Sequence, residues 1–138
     1  MITFLLAAAV GHVGFNLVHP IDIVEAAPVY FGEVLNDDNA SCQLSREGRT
    51  GSGCIGTDAQ LGLLTLSAKD HSNVNVIVHS IENNHFKFEP LLADGEQSQQ
   101  FTVFSGNLNI DIGGKITVIT KPNNGDYKLE YIIEVNYD

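Results

Sequence analysis

Basic residues are scarce in this 138-residue sequence, which has seven lysines and arginines against seventeen aspartates and glutamates. The formal net charge is therefore −10. Nucleic acids and anionic membrane surfaces attract proteins with a basic surface, and an acidic protein is repelled by both. We accordingly expect a protein that has no nucleic acid as partner.

Long hydrophobic runs are also missing. The apolar run Ile2–Val10 is much shorter than the roughly 20 residues that a membrane-spanning helix needs, so no membrane span is predicted. Its small residues, Ala7–Ala9, are typical of the end of a signal peptide, although no basic segment precedes them. Two interpretations stay open at this point: a signal remnant cut near Ala9, or an ordinary buried strand.

Motifs for catalysis are absent from the sequence. It contains no G-x-S-x-G elbow, phosphate loop or dinucleotide fingerprint, and its five histidines lack the spacing of a zinc-protease site. We therefore predict a protein that is not an enzyme and that uses neither a cofactor nor a metal.

Only two cysteines are present, Cys42 and Cys54, in a segment rich in Gly, Ser and Arg. Two cysteines without suitably spaced histidines make a weak zinc site. In an oxidising compartment they are expected to form one disulfide, and two free thiols are the alternative.

Helix signals are nearly absent, whereas alternation of apolar and polar residues is frequent. It occurs in "NVNVIVHS" from Asn73, in "NLNIDI" from Asn107 and in the final segment, with turn-forming residues between such runs. The pair Gly113-Gly114 is predicted to form a bulge or tight turn between two strands. Seven or eight short strands predict an all-β, immunoglobulin-like antiparallel β-sandwich.

The final segment is the longest of these alternating runs and is predicted to be one strand that follows a turn at Gly125. One face of this strand carries Tyr127, Leu129, Tyr131, Ile133, Val135 and Tyr137.

Three quoted segments carry a family resemblance: "PIDIVEAAPVYFGEV" from Pro20, "NLNIDIGGKITV" from Asn107 and "GDYKLEYIIEVNY" from Gly125. Their order and spacing resemble those of secreted, fimbrillin-like domains of bacterial surfaces, in particular the common-pilus fimbrillins and related pilin-like domains. The penultimate Tyr137 and Gly125, fourteenth from the end, are similar to landmarks of chaperone–usher pilins. The resemblance covers most of residues 20–138.

This resemblance implies a sandwich that lacks its last strand. A periplasmic chaperone would first lend a strand, and the N-terminal segment of a neighbouring copy would then replace it as an outer-membrane usher assembles the fibre. The final strand, from Tyr127 to Tyr137, would border the groove that accepts the donated strand. Strand addition of this kind satisfies exposed backbone groups and covers apolar side chains together.

Residues 1–18 are then expected to hold a signal remnant, a donor strand or both, ahead of a pilin-like β-sandwich domain at 19–138. Val13, Phe15 and Leu17 alternate with His12, Gly14 and Asn16, as a donor strand requires. The alternatives are that these residues form the domain's own first strand or belong to a cleaved signal.

The resulting functional prediction is a structural subunit of a secreted, cell-surface fimbria that reaches the surface through the periplasm. Its partners would be further copies of itself, and adhesion or biofilm formation would follow. The alternative is a carbohydrate-binding or adhesin module that does not polymerise. Sugar sites use exposed aromatic residues, and the lack of tryptophan weakens that alternative.

Overall fold

The computed structural model describes residues 6–138, and in this part of the chain the regular structure consists of β-strands. Met1–Leu5, which belong to the predicted signal remnant, lie outside the described residues. In chain order the strands are β1 (Asp22–Ala27), β2 (Glu33–Val34), β3 (Ser41–Ser45), β4 (Gly48–Thr50), β5 (Cys54–Ile55), β6 (Gly62–Ser67), β7 (Asn73–Val78), β8 (Ile81–Glu82), β9 (Phe86–Leu91), β10 (Ser98–Thr102), β11 (Asn107–Val118) and β12 (Ile133–Tyr137).

The larger sheet is organised around β11, which changes partners along its length. Its first part, Asn107–Ile112, pairs with β6, and β6 pairs in turn with β1. Its second part lies between β9 and β3. On the outer sides of these two strands, β8 pairs with β9 and β4 pairs with β3. A smaller sheet has the order β10-β7-β12, and β2 pairs with β5. All of these pairings are antiparallel.

The hydrophobic core lies between the β6–β11 part of the larger sheet and the β7 sheet. The alternation in the sequence explains it, since every second side chain of each strand points to the same face. Val74, Val76 and Val78 of β7 are fully buried, as the "NVNVIVHS" pattern predicts. The buried cluster comprises Leu64, Leu66, Ala68, Val74, Val76, Val78, Leu92, Val103, Ile110 and Ile112.

The glycine pair Gly113-Gly114 does not divide two strands, so the predicted turn or bulge is wrong. Both glycines lie inside the twelve-residue strand β11, where its partner changes. A Cβ atom on Gly113 would lie 2.3 Å from the Leu44 carbonyl oxygen, and one on Gly114 would lie 2.5 Å from that of Glu89. The glycines are therefore needed because two neighbouring strands approach β11 too closely for any side chain.

Cys42 and Cys54 form a disulfide, as predicted. The bond links β3 of the larger sheet to β5. Arg49, within the loop that the disulfide closes, donates hydrogen bonds to the carbonyl oxygens of Phe31 (2.9 Å), Glu33 (3.3 Å) and Gly56. The disulfide and Arg49 together fasten the short β2–β5 pair to the edge of the sandwich.

These features confirm the predicted fold class, an all-β, immunoglobulin-like antiparallel sandwich. Within residues 6–138 there is no helix of the length and apolar character that crossing a bilayer requires.

Candidate functional site: an open side of the sandwich

One side of the sandwich is bordered by two strands that lack a second neighbour. β1 ends the path β1-β6-β11 in the larger sheet, and β12 ends the β10-β7-β12 sheet. No described strand pairs with the outer edge of β1 or of β12, and these two strands are not hydrogen-bonded to each other. Unpaired edges leave backbone N–H and C=O groups available to another strand.

Side chains from both strands line the space between these edges, which we call the cleft. Ile133, Val135 and Tyr137 of β12 stand opposite the buried valines of β7 and so face the interior, yet each is only half-buried. Opposite residues of an antiparallel pair share a face, so Ile23 and Glu25 of β1, paired with Leu66 and Leu64, also point inward. All five of these residues belong to the cleft.

The two bordering segments are joined by a hydrogen bond at one end of the cleft, and the order of the chain defines the other end. At one end the Tyr137 hydroxyl donates a 2.5 Å hydrogen bond to the carbonyl oxygen of His19, just ahead of β1. At the other end Tyr131 lies just ahead of β12, and Glu25 lies in the second half of β1. The two segments thus run along each other in opposite directions.

Tyr131 carries the most unusual polar group of the cleft. Its hydroxyl oxygen is buried and has no hydrogen-bond partner among the described residues, while its ring packs edge-on against Phe88 with 5.3 Å between centroids. Burial, and secondarily the negative charge of Glu25, raises the pKa of Tyr131 to about 12. A neutral hydroxyl in this position is a donor without an acceptor, which is unfavourable when buried.

The opposite side of the sandwich is closed. There the bordering strands are β10 and the first part of β11, and the short segment 103–106 joins them directly. Val103 and Ile110 are buried between them. The half-buried residues of β12 have no such cover.

The predicted terminal strand is shorter than expected. β12 begins at Ile133, and Gly125, Tyr127, Leu129 and Tyr131 lie outside it. The reason is the length of the partner: β7 ends at Val78, which pairs with Ile133, and one further hydrogen bond joins His79 N–H to the Ile132 carbonyl before the chain turns towards β8.

Gly125 and Tyr127 also lie away from the cleft. Gly125 is exposed, and a Cβ atom there would meet no other atom within 4 Å. Tyr127 packs against Phe86 with 5.0 Å between ring centroids and helps to line a shallow depression with His85, Lys121, Pro122 and Asn123. Of the predicted groove residues, Ile133, Val135 and Tyr137 line the cleft and Tyr131 lies at its end.

The predicted donor residues lie outside both sheets. Val13, Phe15 and Leu17 are 85%, 79% and 86% exposed, and no strand is formed between Leu6 and Ile21. A Cβ atom on Gly11 or on Gly14 would meet no other atom within 4 Å. The structure therefore does not use this segment as the domain's own first strand.

Sequence reasoning missed the contribution of β1 to the cleft. The alternation in "IDIVE" could have indicated it: Ile21, Ile23 and Glu25 occupy every second position, and Ile23 and Glu25 lie on the inward face of β1. A charged residue that points inward at a sheet edge is one way in which proteins discourage unwanted strand pairing.

The geometry of the open side suits the binding of an extended segment. It brings together no group of three or more His, Cys, Asp or Glu side chains for a metal within the described part of the chain. Comparison of the chain with protein-family models, with curated proteins and with solved structures found no match.

Proposed function

We propose that this protein is a structural subunit of an extracellular fimbria-like fibre, assembled when the N-terminal segment of one copy enters the cleft of the next. The observation that carries the proposal is the presence, in one chain, of an apolar segment without a partner and an apolar cleft bordered by two unpaired edges. Each feature is unfavourable in water, and strand addition removes both.

Three alternating side chains of the segment match the chemistry of the cleft. Val13, Phe15 and Leu17 would cover Ile133, Val135 and Tyr137, which are half-buried in the free domain. The backbone of the segment would pair with the outer edges of β1 and β12. Because each copy then donates one segment and accepts another, the contact is heterologous and extends without closing.

The disulfide agrees with this setting, since structural disulfides persist in the periplasm and outside the cell. A subunit with an open cleft also needs protection before assembly. A periplasmic chaperone that lends a strand, and an usher that delivers subunits to the surface, would meet this need, with adhesion or biofilm formation as the role of the fibre.

The proposal is tested with the full-length chain and a variant in which Val13, Phe15 and Leu17 are all replaced by serine. We expect wild-type protein to form fibres under the electron microscope and the variant to stay monomeric. A fluorescent peptide of residues 10–18 should bind the variant, and the same peptide with the three serines should not. If the triple variant polymerises like wild type, strand donation by this segment is wrong.

A second candidate is suggested by the shallow depression beside Tyr127. An exposed aromatic ring stands there near His85, Lys121 and Asn123, a combination that suits stacking and hydrogen bonding to a sugar. Under this alternative the protein is a carbohydrate-binding module that needs no polymer. Glycan-array binding by the monomeric triple variant, lost in Tyr127→Ala, would favour it.

A further inference from the structure

The end of the sandwich at which the N-terminal segment leaves the domain has its own exposed surface. The Tyr137 hydroxyl, which donates to the His19 carbonyl, also accepts a 2.8 Å hydrogen bond from the backbone N–H of Lys69. The segment therefore leaves directly beside the loop between β6 and β7. We call this region, formed by His19 and the loops 69–72 and 103–106, the exit end.

A large apolar side chain projects from the exit end. Phe104 is 63% exposed, and its ring meets His71 edge-on with 6.2 Å between centroids. His71 adopts a positive φ angle of 60°, and Ser105, which follows Phe104 in the chain, adopts one of 57°. Such angles are unfavourable for residues with a side chain.

The two loops that carry these residues are bound to each other. His71 N–H donates to the Val103 carbonyl and Val103 N–H donates to the Ser72 carbonyl, each at 2.8 Å. Phe104 is thus held outward by a hydrogen-bonded backbone in an uncommon conformation, and its exposure is part of the folded structure.

The opposite end of β12 carries a second exposed apolar residue. Ile132 is 63% exposed, and its carbonyl accepts a 2.9 Å hydrogen bond from His79. Ile132 directly precedes β12, whereas Tyr137 at the exit end is the last residue of β12, so Ile132 lies at the end of the cleft that faces away from the exit end. We call this the entry end.

The route of the chain decides how two copies would meet. The donor residues precede His19 directly, so a copy that accepts them must lie just beyond the exit end of the donor. If it presented its own exit end, the same surfaces would meet and the contact would close into a dimer. An open fibre requires a different surface of the accepting copy, and the entry end is the one at which the segment can run straight on into the cleft.

We infer that the exit end of each subunit, with Phe104 and His71, packs against the entry end, with Ile132, of the copy that accepts its N-terminal segment. This inference rests on the proposed function and adds a second contact to it. The occupant of the Phe104 surface is a second copy of this chain. Such a contact would stiffen the fibre, since a donated strand alone leaves the short connection around His19 as the only link between domains.

Cysteine labelling tests the inference on the full-length protein with its disulfide intact. Phe104→Cys and Ile132→Cys would be reacted with a maleimide before and after polymerisation, with Asn109→Cys, on the outward face of β11, as control. We expect the labelling rates at positions 104 and 132 to fall at least tenfold in the polymer and that at 109 to stay unchanged. Unchanged labelling at 104 or at 132 in polymers would overturn the inference while leaving strand donation intact.

A second measurement separates this contact from the cleft. In the serine-substituted monomer, Phe104→Ser should leave binding of the 10–18 peptide unchanged, because Phe104 lies outside the cleft. In the chain with its own N-terminal segment, the same substitution should give markedly more flexible fibres. Fibres of wild-type stiffness from this variant would argue against the end-to-end contact. Failure of wild-type protein to polymerise at all would refute the proposed function, and the inference with it.

Discussion

The two sides of the sandwich are built from the same kind of strand, yet one is closed and the other open. On the closed side, β10 and the first part of β11 are joined by a short loop, and Val103 and Ile110 are buried between them. On the open side, β1 and β12 are not paired with each other, and Ile133 and Val135 remain half-buried. The difference lies in the covering of the apolar face and not in its composition.

This difference explains why the alternating pattern alone does not reveal function. "NLNIDI" and "IIEVNY" both place apolar residues on one face, and both form strands that face the core. Whether such a face is covered depends on which strands lie at the edges of the two sheets. A half-covered face next to an unpaired edge is where a further strand gains most from binding.

The largest effect is expected from a matched pair of isoleucine substitutions. Ile110→Ala, on the closed side, removes a buried side chain and should lower the free energy of unfolding by about 3–4 kcal/mol. Ile133→Ala, on the open side, should cost only about 1–2 kcal/mol because its side chain is partly in water already. Urea unfolding of the serine-substituted monomer measures both.

The peptide of residues 10–18 provides a further test of the comparison between Ile110→Ala and Ile133→Ala. Saturating 10–18 peptide should raise the cost of Ile133→Ala, since the bound strand buries that side chain, and leave the cost of Ile110→Ala unchanged. Equal costs for the two substitutions, with and without peptide, would show that the open side is not an unfilled site.

A smaller effect on stability is expected from removal of the disulfide, which belongs to neither the open nor the closed side of the sandwich. Replacing Cys42 and Cys54 together by alanine should lower stability by about 3 kcal/mol, mainly because the unfolded chain is less constrained. Binding of the 10–18 peptide should be unchanged under conditions in which the variant is folded. A variant of unchanged urea midpoint, or one that is folded but loses peptide binding, would contradict this assignment.

The sequence predicted those parts of the fold that depend on local patterns. The inward residues of β7 and β11 and the Cys42–Cys54 pair were predicted correctly from alternation and from the number of cysteines. The glycine pair in β11 was misread because its role depends on the approach of β3 and β9, which come from distant parts of the chain. The start of β12 was misplaced for a similar reason, since the end of β7 sets it.

The candidate site was predicted in part. Ile133, Val135 and Tyr137 follow from the terminal alternation, whereas Ile23 and Glu25 require knowledge that β1 lies across from β12. Pairing between distant segments is not contained in any local pattern. This also explains why Gly125, whose sequence position is similar to that of a pilin landmark, lies away from the cleft, as Tyr127 does.

The smallest effect concerns the Tyr131 hydroxyl at the end of the cleft. Its pKa is raised to about 12 in the folded protein, so the folded state holds this proton more tightly than the unfolded chain, in which tyrosine titrates near 10. The stabilisation linked to this proton is complete below about pH 10 and is lost as the pH rises towards 12. Since the residue is only half-buried, we expect the loss to be about 1 kcal/mol after solvent screening.

Tyr131→Phe isolates this group in the serine-substituted monomer. It removes a buried hydroxyl that has no partner, so the variant should be as stable as the parent at pH 8, or slightly more stable. Between pH 10 and 12 the parent should lose about 1 kcal/mol more than the variant in urea unfolding. A variant that is clearly less stable at pH 8 would show that the hydroxyl already has an acceptor in the free domain. The Tyr131 hydroxyl would then be paired within the free domain, and the entry end would provide no unpaired polar group for an incoming strand.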